Sequence, residues 1–115
     1  MIVIFFALPL ATLLIAVLSQ LGGNGVLKRN GFLGLRIPST MYSDDAWRAG
    51  HHAAALPAWI GFVAITVAAI IGLVLFKSDS GSATVSIVVG AIFLITLIWA
   101  VIVASFAARS TEVVH

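Results

Sequence analysis

The chain has 115 residues, of which 62% are hydrophobic and 9% are charged, a composition that excludes an ordinary soluble domain and is typical of an integral membrane protein. Because there is no cysteine, disulfides, thiolate catalysis and cysteine-ligated zinc sites are also excluded. The formal net charge is +2, but the basic residues are scattered around apolar stretches and form no continuous surface for a nucleic acid.

The first predicted element is a membrane-spanning helix over residues 2–21, which carry no charged side chain. About twenty residues, at a rise of about 1.5 Å each, match the roughly 30 Å hydrocarbon core of a bilayer. No basic segment precedes this stretch, and its apolar run is longer than that of a typical signal peptide. We therefore expect a retained helix, with a bend at Pro9.

A polar connection over residues 22–56 follows. It begins within the sequence LGGNG at residues 21–25, whose three glycines are typical of a flexible exit from a helix. Lys28 and Arg29 come next, where they can bind anionic lipid headgroups with about 1 kcal/mol per charge. We interpret these two residues as membrane anchors.

A short amphipathic helix is predicted near the end of this connection, lying on the membrane surface. Pro38 favours an extended backbone at the residue before it, so the helix is expected to start later. Ser43 is the predicted N-cap, with Asp44 in the first turn and paired with Arg48 one turn further on. Trp47 is expected at the depth of the lipid headgroups.

Two further membrane-spanning helices are predicted over residues 57–76 and 84–108. The sequence KSDSGS at residues 77–82 separates them and is typical of a tight exposed turn, so the two helices form an antiparallel hairpin. The predicted fold class is an all-α integral membrane protein, a single domain with three transmembrane helices and an interfacial helix between the first two.

The distribution of lysine and arginine predicts the orientation of these helices. The first connection holds four basic residues and the C-terminal tail holds Arg109, whereas the second connection holds only Lys77. Since basic residues accumulate on the cytoplasmic side, we expect the N-terminus outside, and residues 22–56 and the C-terminus in the cytoplasm, at a bacterial inner membrane.

Two rows of small residues, each at four-residue spacing, predict close helix packing. Lipid is as apolar as leucine, so helices in a membrane associate through such packing and through occasional polar contacts. Two interpretations are open: packing within the three-helix bundle, or a surface for a homo-oligomer or a larger membrane-protein partner. The rows are Ala64, Ala68 and Gly72 in the second span, and Ala100, Ala104 and Ala108 in the third.

The polar connection shows no pattern typical of a metal site or an enzyme. His51 and His52 are adjacent, so on a helix they point about 100° apart and cannot both bind one ion. There is neither a phosphate-binding glycine loop nor a nucleophile elbow. A site that uses Asp44 with His51, two turns apart, is the remaining catalytic alternative. We expect no enzyme activity, no metal and no cofactor.

Residues 30–54, NGFLGLRIPSTMYSDDAWRAGHHAA, resemble the signature of the SdpI-like family, named for the immunity protein against a sporulation-delaying peptide toxin. Its members carry approximately N-x-x-x-G-[IL]-R-[TI]-P-x-T-[LM]-x-[ST]-[DE]-x-x-W-x-x-x-H, and the chain resembles a short three-span form. Ile37 stands where a threonine is common. The matched positions are Asn30, Gly34, Leu35, Arg36, Pro38, Thr40, Met41, Ser43, Asp44, Trp47 and His51.

This resemblance implies a polytopic membrane protein that protects its producer from a membrane-active peptide and can hold a transcriptional repressor at the membrane. Our first hypothesis is accordingly a non-catalytic protein that binds a peptide toxin or a signalling partner. Arg36 is expected to engage a carboxylate or phosphate group, and Asp44 with Arg48 to present a polar edge. The alternative is an accessory subunit of a larger energy-transducing or envelope-assembly complex in the membrane.

Overall fold

The computed structural model describes residues 2–75 and 79–111, and every regular element among them is a helix. Three of these helices are long and apolar enough to cross a membrane, and a short helix lies between the first two, so the predicted fold class is confirmed. The elements in chain order are α1 (Ile2–Gly23), α2 (Pro38–Met41), α3 (Asp44–Leu75) and α4 (Asp79–Ser110).

The boundaries of α3 differ from those expected. The residues assigned to a separate surface helix form its first turns, and the helix continues through Pro57 to a length of 32 residues, or about 48 Å. Ala54 and Ala58, on either side of the proline, are buried. Because packing continues across Pro57, and because a helix satisfies the backbone best in an apolar medium, the proline is accommodated rather than ending the helix.

The third long helix begins earlier than expected. Helix α4 starts at Asp79, within the sequence predicted to be a turn, and residues 76–78 lie outside the described residues. Aspartate and serine are as typical of the first turn of a helix as they are of a loop, so the composition alone does not separate the two.

Helix α3 is the central helix of the bundle. Both α1 and α4 pack along it, whereas α1 and α4 make few contacts with each other. Towards the start of α1, a core cluster of apolar side chains joins the three helices; it contains Phe5, Ile65, Ala69, Val85 and Val89. At the opposite end, the side chains of Leu35 and Ile37 from the connection pack on α3 and α4 instead.

The row of small residues that was predicted to pack in α3 is buried only in part. Ala64 is exposed and Ala68 is only half-buried, whereas Gly72 is buried against Val85. A helix has 3.6 residues per turn, so a strict four-residue row drifts around the surface. The buried row of α3 combines spacings of three and four; it contains Ala54, Ala58, Gly61, Ile65, Ala69 and Gly72.

The row of small residues predicted in α4 is buried as a whole. Ala100, Ala104 and Ala108 are each at most 1% exposed, and the first two pack with Ala54 of α3. Internal packing therefore accounts for this row.

Candidate functional site

The candidate site lies where the end of α1, the start of α3 and the end of α4 meet. Residues 24–37, here called the motif loop, connect α1 to α2 and fold over the first turns of α3. At the far side, the guanidinium Nε of Arg109 donates to the hydroxyl of Ser39 at 3.3 Å, which links α4 to α2. The site thus brings together every element that the structure describes.

Asn30 shapes the outer part of the motif loop. Its side-chain Oδ1 accepts hydrogen bonds from the backbone N–H groups of Phe32 and Leu33, each at 2.8 Å. Its Nδ2 donates to the carbonyl of Lys28 at 2.7 Å. An asparagine side chain that bonds the backbone in this way builds a turn without a helix or a sheet.

Gly34 is where the motif loop turns into the bundle. Its φ is +98°, a conformation that residues with a side chain rarely adopt. A Cβ at this position would lie only 2.7 Å from Nε2 of His51 and 2.9 Å from the ring of Trp47. Glycine is therefore needed both for the backbone conformation and for the close approach to these two rings.

His51 fastens the loop from inside the bundle. Its side chain is fully buried, and its Nε2 accepts a hydrogen bond from the backbone N–H of Leu35 at 2.8 Å. Its Nδ1 lies 2.7 Å from the carbonyl oxygen of Trp47, which can only accept, so Nδ1 carries the proton. The two bonds together define a neutral imidazole, because a proton on Nε2 would displace the N–H of Leu35.

Trp47 fastens the loop one turn earlier. The indole is only 2% exposed and stacks on the His51 ring with centroids 4.1 Å apart, so the two residues share a face as their spacing predicts. Its Nε1–H donates to the carbonyl of Leu27 at 2.9 Å. The expectation that Trp47 anchors in lipid headgroups is wrong, since the motif loop covers the ring.

Thr40, in α2, forms hydrogen bonds with backbone carbonyl groups in the inner part of the loop. Its hydroxyl donates to the carbonyl of Leu35 and lies 3.0 Å from that of Ile37. Ile37 is extended, with φ −93° and ψ 158°, as Pro38 predicts. The methyl group of Thr40 packs on Gly50, where a Cβ would lie 2.5 Å from it.

These bonds explain why irregular backbone is tolerated here. Leu35 lies beside Ile15, Leu18 and Ser19 of α1, well before the end of that helix at Gly23. Non-helical backbone at such a depth persists only where protein surrounds it and its polar groups have partners. The motif residues supply those partners, and therefore the polar residues of this apolar chain are concentrated in one segment.

The ion pair at the surface of the site differs from the predicted one. Asp44 pairs with Arg29, whose Nε lies 3.3 Å from Oδ1, and Nη1 of Arg29 donates to the carbonyl of Met41 at 3.0 Å. Arg48, the predicted partner, instead lies against Gly25. Because the Asp44 side chain is 87% exposed, the pair contributes at most about 1 kcal/mol.

The remaining predicted residues lie around this core. Ser43 caps α3 as predicted, since its Oγ accepts from the N–H of Ala46 at 3.0 Å. Arg36 and Lys28 are exposed, and neither side chain forms a hydrogen bond or ion pair with another residue in the described ranges. Arg36 thus projects from a loop whose neighbouring backbone is firmly bonded.

Sequence reasoning missed the role of the glycines that end α1. Gly22 and Gly23 are helical rather than a flexible exit. A Cβ at Gly22 would lie 2.5 Å from Cγ of His51, and one at Gly23 would lie 2.7 Å from Cα of His52. The run of glycines was the available signal, but it does not distinguish flexibility from close helix approach.

The site has no arrangement suited to metal binding or acid–base chemistry within residues 2–75 and 79–111. No group of three or more potential metal-binding side chains occurs there. Asp44 pairs with Arg29, and both ring nitrogens of His51 bond the backbone. The catalytic alternative that uses Asp44 with His51 therefore has no support in this geometry.

Comparison with known proteins agrees with the motif. The model of the SdpI/YfhL protein family matches residues 26–106, which include most of the motif loop, all of α2 and α3, and most of α4. No curated protein and no solved structure matches the chain. The match covers well over half of the 115 residues, and the chain therefore belongs to the SdpI/YfhL protein family.

Proposed function

We propose that this multi-pass protein resides in a bacterial inner membrane and acts by binding, in immunity to a peptide toxin or in membrane signalling. The observation that carries the proposal is the motif loop: its inner backbone is bonded by buried side chains, while its outer face stays exposed. A loop of this kind presents side chains in a defined arrangement, which lowers the entropy cost of binding a partner.

The exposed face of the motif loop is suited to an amphipathic ligand. Phe32 is 91% exposed, and Leu33 is also exposed, as is Tyr42 just after α2, although all three belong to the polar connection. Arg36 stands close to them in sequence with its guanidinium unpaired among the described residues, and a guanidinium can bind a carboxylate through two hydrogen bonds. A membrane-active peptide offers both apolar side chains and a carboxylate.

A binding role is also favoured by the chemistry of the buried residues. His51 is the one buried histidine among the described residues, and its two ring nitrogens are both used to hold backbone groups. A general base needs a nitrogen that can reach a substrate. We therefore assign His51 to holding the loop and not to catalysis.

The proposed orientation places the motif loop in the cytoplasm. Arg109 lies at the same end of the bundle as the motif loop, because it bonds Ser39 of α2. All basic residues of the described ranges consequently gather at one end, and the preference of basic residues for the cytoplasmic side supports this orientation. Labelling of single cysteines introduced at Phe32 in intact cells tests it, and reaction with an impermeant reagent would reverse the assignment.

Expression in a toxin-sensitive bacterial host tests the proposed immunity. We expect cells with the natural chain to survive a membrane-active peptide that kills control cells, and cells with Arg36→Ala to lose most of that protection. Asp45→Asn is the matched control, since Asp45 is also exposed and its side chain bonds no described residue. Immunoblotting of membranes verifies equal insertion, and unchanged survival against a broad panel of peptides would count against immunity.

Gentle detergent extraction separates the remaining alternatives. Recovery of a soluble DNA-binding protein with the natural chain, and its loss with Arg36→Ala, would favour signalling. Stoichiometric recovery of a large membrane enzyme would favour the accessory-subunit alternative, and recovery of the chain alone would oppose both.

A further inference from the structure

A cavity of about 160 Å³ lies between the motif loop, the end of α1 and the first turns of α3. One water molecule needs only about 10–15 Å³, so the cavity accommodates a polyatomic group. Its lining residues are Gly22, Gly25, Leu27, Lys28, Arg29, Asp44, Trp47 and Arg48. This cavity is distinct from the exposed face around Arg36 and is here called the basic cavity.

The charges around the basic cavity are unbalanced. Its lining residues include three that are cationic and one that is acidic, Asp44, whose carboxylate is already paired with Arg29. Lys28 and Arg48 have neither a hydrogen-bond acceptor nor an ion-pair partner among the described residues. An anion in the cavity would therefore meet two unpaired positive charges.

The positions of the two arginines are restricted by the surrounding backbone. Arg29 is held through Nε by Asp44 and through Nη1 by the carbonyl of Met41, which leaves its Nη2 without a partner among the described residues. The guanidinium of Arg48 lies against Gly25, where a Cβ would lie 2.9 Å from Nη2. Gly25 has φ +83°, so the backbone that makes room for Arg48 is itself one that favours glycine.

The location of the basic cavity favours a lipid as the source of the anion. Gly22, one of its lining residues, lies in the last turn of α1, an apolar helix long enough to span a bilayer. The cavity therefore stands where the membrane-spanning part of α1 meets the polar connection. The phosphate groups of phospholipids lie at this boundary, and basic pockets near the ends of transmembrane helices are suited to anionic headgroups.

We propose that the basic cavity binds the phosphate of an anionic phospholipid headgroup through Lys28, Arg29 and Arg48. Sequence patterning predicts only diffuse anchoring by Lys28 and Arg29, whereas the structure adds Arg48 and a cavity in which the three converge. A bound headgroup would link the motif loop, through Lys28 and Arg29, to α3, through Arg48. The proposal does not depend on the immunity role.

Native mass spectrometry of the purified full chain tests this proposal. The protein is transferred to micelles that contain equal amounts of phosphatidylglycerol and phosphatidylcholine, and the retained lipid is identified. We expect preferential retention of phosphatidylglycerol by the natural chain. Arg48→Ala should reduce that retention about tenfold, as the loss of a charge-assisted hydrogen bond predicts.

Arg109→Ala is the matched control, because it removes the same charge at the same end of the bundle but outside the basic cavity. It should retain phosphatidylglycerol within about twofold of the natural chain, since Arg109 is exposed and does not line the cavity, and water and salt screen the charge of such a residue. Lys28→Ala is the second variant, so that the result does not rest on one substitution. Circular dichroism establishes that all variants keep their helices.

Three outcomes would overturn the proposal. The first is equal retention of the two lipids by the natural chain, and the second is equal loss in Arg48→Ala and Arg109→Ala. The third is displacement of phosphatidylglycerol by an equal concentration of inorganic phosphate, which would assign the basic cavity to a soluble anion. Selective retention that is lost in both cavity variants and kept in the control supports the proposal.

Discussion

The two ends of the bundle are built on different principles. At the end where α1 begins, apolar side chains such as Phe5, Ile65 and Val89 pack between three helices, and the helices satisfy their own backbone groups. At the other end of the bundle, where the motif loop lies, buried polar side chains form hydrogen bonds with backbone groups that are not helical. An apolar core can exchange one apolar side chain for another of similar volume at small cost, whereas a hydrogen bond to buried backbone is lost whenever its one donor or acceptor is removed.

It follows from this difference that most of the buried motif residues have a structural role. The side chains of His51, Trp47 and Thr40 form hydrogen bonds to the loop backbone. Gly34 is needed for the positive φ at which the loop turns into the bundle. The exposed outer face of the motif loop remains available to a partner, and these bonds hold it in place. Substitutions at the two ends of the bundle should consequently have different costs, and three of them test this comparison.

The largest effect is expected from His51→Ala. The variant leaves the N–H of Leu35 without an acceptor and removes a fully buried ring, which together should lower the free energy of unfolding by about 3–5 kcal/mol. Denaturation in detergent micelles, followed by tryptophan fluorescence, measures this change. His52→Ala is the control, since His52 is exposed and should cost less than about 0.5 kcal/mol. Equal effects at the two histidines would contradict the assigned role.

A smaller effect is expected from Gly34→Ala. The added methyl group meets Nε2 of His51, and the positive φ of residue 34 strains any residue with a side chain, so we expect a loss of about 1–3 kcal/mol in the same assay. Gly31→Ala is the matched control, because a Cβ at Gly31 meets no atom within 4 Å. If both variants were equally stable, the close approach at Gly34 would not be a requirement of the fold.

The smallest effect is expected in the apolar half, from Ile65→Val. Ile65 is fully buried in the core cluster, and the loss of one methylene should reduce the free energy of unfolding by about 0.5–1.5 kcal/mol. Val63→Ala, on the exposed side of the same helix, should leave stability nearly unchanged. A cost for Ile65→Val as large as that for His51→Ala would remove the distinction between the two ends.

Several features of the site could be predicted because they depend on neighbours in the chain. Ser43 caps α3, and Pro38 keeps Ile37 extended, since each effect acts within a few residues. The partner of Asp44 could not be predicted in this way. A spacing of four residues favours Arg48, but Arg29, fifteen residues earlier, is brought beside the carboxylate by the fold of the motif loop.

The length of α3 is a second feature that neighbouring residues in the chain do not predict. Composition separates a polar segment before Pro57 from an apolar one after it, and this contrast predicts two helices. Helix α3 is continuous because α1 and α4 pack on it both before and after Pro57. The burial of Trp47 has a related cause, since a residue typical of a membrane interface is covered by a loop that precedes it by twenty residues.

Three properties of the protein could be read from its amino-acid sequence alone: it is a membrane protein with three spans, its polar residues belong to one connection, and that connection carries the family motif. These properties follow from apolar length, charge distribution and residue spacing, which need no knowledge of contacts. What each motif residue does depends on the tertiary fold, because His51, Trp47 and Arg29 each bond a backbone group that lies twelve to twenty residues away along the chain. These side chains and backbone groups come together only in the folded bundle, where the buried loop backbone has no water with which to form hydrogen bonds.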